Sequence, residues 1–242
     1  MNVVLFRDHN NTDRRPFEDA LARLLAQHAP VVVAPHAYHI PEDAELWPEL
    51  ADDAPLLALS WLHPRPTEWL LKRHGAGHAG VVAIDMAAFD SPETCFDECR
   101  QHLADVSDPR DITERDCAAS VRWYPVIDGA RCINCKQCLR FCLFGVYEFD
   151  ARFRVSVVNP NNCKPGCPAC ARICPNSAIM FPLYEKDDAI AGAPGKFVSP
   201  SDDARAMFER RTHQTYRESG AADDGLDELI DDLDRLARGD RD

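Results

Sequence analysis

The sequence lacks the segments by which membrane and exported proteins are identified. No apolar run approaches the ~20 residues that a membrane-spanning helix needs. Residues 1–8 contain no basic stretch followed by a long apolar one, as a secretory signal would. The sequence therefore predicts a soluble, cytoplasmic protein.

Nucleotide-binding and hydrolase motifs are also absent. No GxGxxG sequence follows a predicted strand, and neither a Walker A motif nor a nucleophile elbow occurs. Positive charge is scarce, since 27 Lys and Arg face 40 Asp and Glu, a net charge of −13. Residues 123–182 are an exception, with seven Lys or Arg against three Asp or Glu. No base-stacking aromatic pattern accompanies them, so nucleic-acid binding is not expected.

Cysteine, in contrast, is abundant and concentrated. Of eleven cysteines, eight fall between Cys132 and Cys174, and the others are Cys95, Cys99 and Cys117. An odd number in tight CxxC runs argues against a secreted disulfide scaffold. Thiolates kept reduced for binding metal are the better interpretation.

The first part of the chain has the pattern of a small α/β domain. Short apolar runs at 3–6, 31–34, 55–61 and 81–84 are separated by helical patterns at 17–27 and 66–74. Continuous apolar strands of this kind are typical of a mostly parallel sheet covered on both faces. We predict an α/β domain over residues 1–106, with a helix starting after Ser91, and a linker over 107–122.

The last part, residues 185–242, is acidic and is predicted to be an extended linker ending in an amphipathic helix. Three interpretations of that helix are open: a solvated helix, a docking helix for a partner groove, or an acidic cover for the basic segment. Its apolar face consists of Leu226, Leu229, Ile230, Leu233 and Leu236.

Residues 123–184 contain two related cysteine runs. The runs are Cys132-x2-Cys135-x2-Cys138-x3-Cys142 and Cys163-x3-Cys167-x2-Cys170-x3-Cys174. The last three cysteines of each are offset by 32 residues, and apolar positions on both sides repeat similarly. Each half therefore predicts a strand, a cysteine loop, a helical turn and a second strand, and two halves predict a pseudo-twofold α+β unit.

These runs resemble the bacterial-type ferredoxin family that carries two [4Fe–4S] clusters, over residues ~121–182. The stretches 123–128 and 141–147 are similar to uncharacterised ferredoxin-family proteins with an N-terminal α/β extension. The resemblance implies two clusters in which the fourth cysteine of each run crosses over to the other cluster. One cluster would then be held by Cys132, Cys135, Cys138 and Cys174, and the other by Cys163, Cys167, Cys170 and Cys142.

The sequence departs from the family pattern at two places. Leu143 follows Cys142, where the family usually has proline, and three residues rather than two separate Cys163 from Cys167. We expect Pro165 and Gly166 to absorb the extra residue as a turn. Structural zinc and purely structural clusters are the alternatives.

Two further groups of residues are weaker candidates for sites. Cys95 and Cys99 share a predicted helix face and could form a third metal site or redox pair with Cys117, although buried thiols are favoured. His36, His63 and Arg65 follow predicted strands and could bind an anion or metal at a sheet edge, although surface histidines are favoured. The remaining histidines of this domain are His39, His74 and His78.

Three functions are compatible with these patterns. The leading one is electron transfer through the two clusters to or from a partner oxidoreductase, with no catalytic residues in the chain itself. The second is an iron–sulfur enzyme or enzyme subunit whose α/β domain binds substrate or cofactor. The third is a redox or iron sensor whose C-terminal helix reports the state of the clusters.

Overall fold

The structure is a computed structural model of the 242-residue chain. It describes residues 1–8, 10–40, 50, 54–77, 79–104, 109–116 and 122–198. We call residues 1–116 the N-terminal lobe and residues 122–198 the cysteine lobe. Within the described residues, no helix has the length and apolar character needed to cross a membrane.

The N-terminal lobe is built on a five-stranded sheet in which every pairing is parallel, with the strand order β4-β3-β1-β2-β5. Side chains of β1, β2 and β3 are almost wholly buried, as expected for a sheet covered on both faces. The predicted mostly parallel sheet is thus confirmed. The strands are β1 (Asn2–Phe6), β2 (Val31–Ala34), β3 (Leu56–Ser60), β4 (Val81–Asp85) and β5 (Ile112–Glu114).

The helices of this lobe are α1 (Arg15–Leu25), α2 (Pro64–Arg73) and α3 (Pro92–Arg100). Each has proline in its first turn, where the missing N–H costs no helical hydrogen bond. Ser91 caps α3 and forms a capping box with Thr94. The helix predicted after Ser91 is therefore present.

The fifth strand corrects the predicted linker over 107–122. Ile112–Glu114 pair in parallel with β2, in the register Val31 to Ile112. The strand is short and largely exposed, so no apolar run marks it in the sequence. Its position is set by the backbone groups of β2, which leave an edge open for pairing.

The cysteine lobe has the pseudo-twofold arrangement that the repeat predicts. Its first half is β6 (Val126–Ile127), α4 (Gln137–Phe141) and β7 (Tyr147–Phe149), and its second half is β8 (Val155–Val157), α5 (Ala169–Ile173) and β9 (Ile179–Met180). β6 pairs antiparallel with β9, and β7 with β8. Each two-stranded sheet thus takes one strand from each half.

The sequence predicts an extended linker from residue 185, but residues 188–191 form a short helix, α6 (Asp188–Ala191). Ile190 is buried and its carbonyl accepts the N–H of Phe181 at 2.8 Å. Ser177 further donates to the carbonyl of Val198 at 2.8 Å. The fold of the cysteine lobe therefore extends past residue 184. The predicted C-terminal helix lies outside the described residues.

The two lobes share one hydrophobic core, in which side chains of β1 and α2 pack with those of β6, β8 and β9. Two buried tyrosines join the lobes: the N–H of Tyr124 donates to the Tyr38 hydroxyl at 2.6 Å, and that hydroxyl donates to the Tyr124 carbonyl. Arg122 also donates to the carbonyl of Ile40 at 2.8 Å. The N-terminal lobe is consequently packed against the cysteine lobe rather than tethered to it.

Candidate iron–sulfur site

The loop that carries Cys132, Cys135 and Cys138 is bent by two residues with left-handed backbone conformation. These are Asn134, with φ 56°, and Lys136, with φ 64°, which directly precedes α4. Asn134 is held by the β7–β8 hairpin, because its side-chain amide donates to the carbonyl of Phe153 at 3.0 Å. Such bends let three closely spaced cysteines surround one volume.

A pocket enclosed by this loop is lined by four cysteines, three from the first run and one from the second. The fourth is Cys174, which follows α5, and α5 packs beside α4. Burial, and after it the neighbouring thiols of Cys174, Cys132 and Cys135, raise the pKa of Cys138 to about 12. The cysteines that line the pocket are Cys132, Cys135, Cys138 and Cys174.

Cys174 is buried and receives backbone hydrogen bonds. The N–H of Ala178 donates to its Sγ at 3.2 Å. Burial raises the pKa of the Cys174 thiol, while the N–H groups of Ala178 and Asn176 act in the opposite direction by stabilising the thiolate. N–H donation to a ligating sulfur is one of the ways in which a protein tunes a cluster.

The second group of cysteines includes the last cysteine of the first run. Burial, and after it the nearby thiols of Cys167 and Cys142, raise the pKa of Cys163 to about 12. Cys170 is buried, and burial raises its pKa well above the ordinary value, with Cys163 and Cys142 among the neighbours that contribute. Cys142 therefore lies among the thiols of the second run, as Cys174 lies among those of the first.

The extra residue of the second run is absorbed by a turn, as the sequence predicts. The N–H of Cys167 donates to the carbonyl of Lys164 at 3.1 Å. Pro165 and Gly166 occupy the two central positions, and Gly166 has φ 74°. Proline followed by a residue with positive φ is the pattern of a type II turn. The other departure, Leu143, is 74% exposed.

Tyr147 on β7 is a supporting residue that the cysteine pattern did not indicate. Its hydroxyl is buried beside Cys170, and burial followed by the nearby thiols raises its pKa well above the ordinary value. Its position in the repeat suggested only an apolar strand residue. Asn134 was missed as well, because nothing in the sequence shows that its side chain reaches the hairpin.

The donor set fits a cubane better than a single ion. Within the described ranges, no three His, Cys, Asp or Glu side chains converge as the ligands of one metal ion. A structural zinc needs four ligands around one atom. A [4Fe–4S] cluster instead takes each thiolate on a different iron, so its ligands surround a volume, as the four pocket cysteines do.

Of the other cysteines, Cys95 and Cys99 lie buried in the hydrophobic core between the sheet and α3. Their mutual hydrogen bond, followed by burial, raises the pKa of Cys95 far above its ordinary value. Both features favour the interpretation as buried thiols. Cys117 lies outside the described residues.

His36, His63 and Arg65 each bind a different part of the structure. His36 is buried and stacks on His39 with ring centroids 4.5 Å apart. His63 faces Asp85 at the end of β4, with Nδ1 and Oδ2 3.1 Å apart. Arg65 crosses to the cysteine lobe, as described below. This arrangement gives no support to a shared site at the sheet edge. Of the other histidines, His74 is half-buried after α2, and His78 lies outside the described residues.

Arg65 is a contact between the lobes. Its guanidinium donates to the carbonyl of Ser177 at 2.9 Å and lies 3.6 Å from the carboxylate of Asp128. Burial lowers the pKa of Arg65. Arg65 thus positions β6 and the segment that follows Cys174.

Comparison with known proteins agrees with this geometry. Residues 124–193 match the family model of the 4Fe-4S dicluster domain. An uncharacterized ferredoxin of Methanocaldococcus jannaschii is 44% identical over 63 residues, which cover 26% of this chain and 42% of the relative. The chain thus matches about two fifths of that relative's length, and no solved structure matches. Residues 124–193 therefore form a domain of the 4Fe-4S dicluster type, which binds iron–sulfur clusters, and the N-terminal lobe lies outside the matched residues.

Proposed function

We propose that the chain binds two [4Fe–4S] clusters with crossover ligation and passes single electrons to or from a partner oxidoreductase. The observation that carries the proposal is the pocket in which Cys174 joins the three cysteines of the first loop. The proposed ligands of the first cluster are Cys132, Cys135, Cys138 and Cys174, and those of the second are Cys163, Cys167, Cys170 and Cys142.

The residues around the thiols suit this role. When bound, each cluster supplies a site that accepts and releases one electron. The protein buries Cys170 and Cys174, which limits solvent access to the sulfurs. It also donates the N–H of Ala178 to Cys174, which stabilises negative charge on that sulfur.

The first cluster is the proposed point of exchange with the partner. Cys135 is exposed, and the side chains beside it include Ile133, 63% exposed, and Lys136, also exposed. Phe153, 78% exposed, is tied to the same loop through Asn134. Exposed apolar side chains next to a cation favour a partner surface with apolar and acidic groups.

Paired cysteine variants test the crossover. With crossover ligation, Cys132→Ala combined with Cys174→Ala removes ligands from one cluster only, so about half of the iron remains. Cys132→Ala combined with Cys142→Ala removes a ligand from each cluster, so both are damaged. Ligation of each cluster by a single run predicts the reverse pattern and would contradict the proposal. Cys95→Ala with Cys99→Ala is the control and retains full iron content.

The point of exchange is tested with small charged oxidants. Oxidation of the reduced protein by the anion ferricyanide should slow in Lys136→Glu, while oxidation by the cation hexaammineruthenium should not slow. Lys186→Glu, which alters an exposed lysine elsewhere in the cysteine lobe, is the matched control. Equal effects of the two lysine variants on ferricyanide would place the exchange elsewhere.

A further inference from the structure

A cleft of about 460 Å³ lies between the two lobes. One wall is α2 of the N-terminal lobe, which contributes Trp69, Lys72 and Arg73. The opposite wall is β6 with the β7–β8 hairpin, whose tip contributes Arg152 and Arg154. The volume lies within the ~300–1,000 Å³ that is typical of small-molecule sites.

The cleft is rich in positive charge. Its lining has four cationic side chains and one carboxylate, that of Asp150. Asp150 holds the hairpin turn, because its Oδ1 accepts the N–H groups of Arg152 at 2.9 Å and Arg154 at 2.8 Å. Among the described residues, neither of these guanidinium groups has a carboxylate partner; Arg154 donates only to the carbonyl of Gly129, at 3.2 Å.

The other two cations are already engaged. Lys72 binds Glu68 and lies over the Trp69 ring, 4.5 Å from its centroid. Arg73 donates to the carbonyl of Val157 at 2.8 Å and so holds the hairpin against α2. The charge available to a ligand therefore comes from the two arginines of the hairpin tip. Arginine binds phosphate through two parallel N–H groups, which makes a phosphate the best-matched anion.

The remaining lining is apolar and continues into the cluster pocket. Trp69, Ile127 and Val155 form apolar wall beside the arginines. Cys132, Ile127 and Val155 line both the cleft and the pocket of the first cysteine group. A ligand in the cleft would thus share a wall with Cys132, and an organic body would cover apolar surface that inorganic phosphate leaves in water.

We propose that this interlobe cleft binds a small organic molecule that carries phosphate, with Arg152 and Arg154 on the phosphate and the organic part toward Trp69. The proposal goes beyond electron transfer to a partner protein, and only the closeness to the first cluster rests on the proposed function. The N-terminal lobe then has a defined role, because without α2 the cleft has a single wall.

Calorimetric titration of the full anaerobic protein with flavin mononucleotide and with inorganic pyrophosphate tests the proposal. Flavin mononucleotide is expected to bind saturably, and riboflavin, which lacks the phosphate, more weakly. The double variant Arg152→Ala/Arg154→Ala should weaken binding by about a hundredfold or more, since the bond to a charged group that each arginine loses is worth roughly tenfold or more. Lys186→Ala, which removes an exposed cation outside the cleft lining, should leave the affinity unchanged.

The proposal is overturned if flavin mononucleotide does not bind saturably at millimolar concentration, if pyrophosphate or riboflavin binds as tightly, or if the double arginine variant binds as well as the original protein. Iron content of the same samples separates this failure from a failure of the proposed function. A full iron content without binding rejects the cleft alone. Binding that depends on the two arginines in a sample lacking iron supports the cleft and rejects the clusters. The EPR signal of the first cluster should also change on binding.

Discussion

Tyr38→Phe removes one hydroxyl and thereby tests whether the lobes are joined as the structure shows. The Tyr38 ring stacks on Tyr124 with centroids 4.4 Å apart, and phenylalanine keeps that contact. Only the two hydrogen bonds to the backbone of Tyr124 are lost. Both residues are fully buried, so water does not replace the hydroxyl that the N–H and C=O of Tyr124 contact.

The cost follows from the two hydrogen bonds that are lost. A buried polar group that loses its hydrogen-bond partner costs about 1–3 kcal/mol, so the two losses should cost about 2–6 kcal/mol in the native state. If the lobes separate before the cluster is lost, the rate of cluster loss in denaturant rises by roughly 30-fold to 25,000-fold.

The assay is the anaerobic decay of the visible absorbance of the cluster after dilution into guanidinium chloride. A rate is the right quantity, because release of a cofactor makes unfolding irreversible. Tyr184→Phe is the matched control. It removes the hydroxyl that accepts a hydrogen bond from Arg172 at 2.9 Å, but Arg172 is exposed and its guanidinium can bind water instead. A Tyr38→Phe rate no faster than that of Tyr184→Phe would refute the reasoning.

Three further predictions concern other contacts. Glu18→Ala removes the buried carboxylate that accepts the N–H groups of Asp8 and Trp61, while Arg7 keeps its ion pairs with Asp19 and Glu114, so the thermal midpoint should fall by an amount equivalent to about 1–3 kcal/mol, measured by calorimetry against Glu68→Ala. Gly129→Ala places a Cβ 2.9 Å from the Trp69 ring and should destabilise by about 1–3 kcal/mol in calorimetry, so an unchanged thermal midpoint would argue against this close approach. Tyr147→Phe should lower the reduction potential of the proposed second cluster in a spectroelectrochemical titration, because a hydroxyl beside the Cys170 sulfur stabilises its charge; an unchanged potential would contradict this.

The positions of the buried strands and of the cysteine loops could be predicted from the sequence. Apolar runs at 31–34 and 81–84 correspond to β2 (Val31–Ala34) and β4 (Val81–Asp85), because a strand covered on both faces needs apolar side chains at every position. The turn around Gly166 could be predicted for a similar reason, since a positive φ favours glycine. In these segments local chemistry is sufficient to specify the conformation.

Elements whose conformation depends on tertiary contacts could not be predicted from the sequence. β5 (Ile112–Glu114) and α6 (Asp188–Ala191) are too short for a periodic pattern and are fixed by their neighbours. The contact between the lobes depends on residues as distant in sequence as Tyr38 and Tyr124, or Arg65 and Ser177. Each appears in the sequence as an isolated polar residue, which is why a linker was predicted between lobes that share one core.

Anaerobic measurement of iron and acid-labile sulfide per chain, with EPR of the dithionite-reduced protein, tests the central claim most directly. Two clusters predict about eight irons and about eight sulfides per chain, and a spectrum broadened by interaction between two reduced cubanes. About four irons with the spectrum of one isolated cluster, or zinc in place of iron, would contradict the claim.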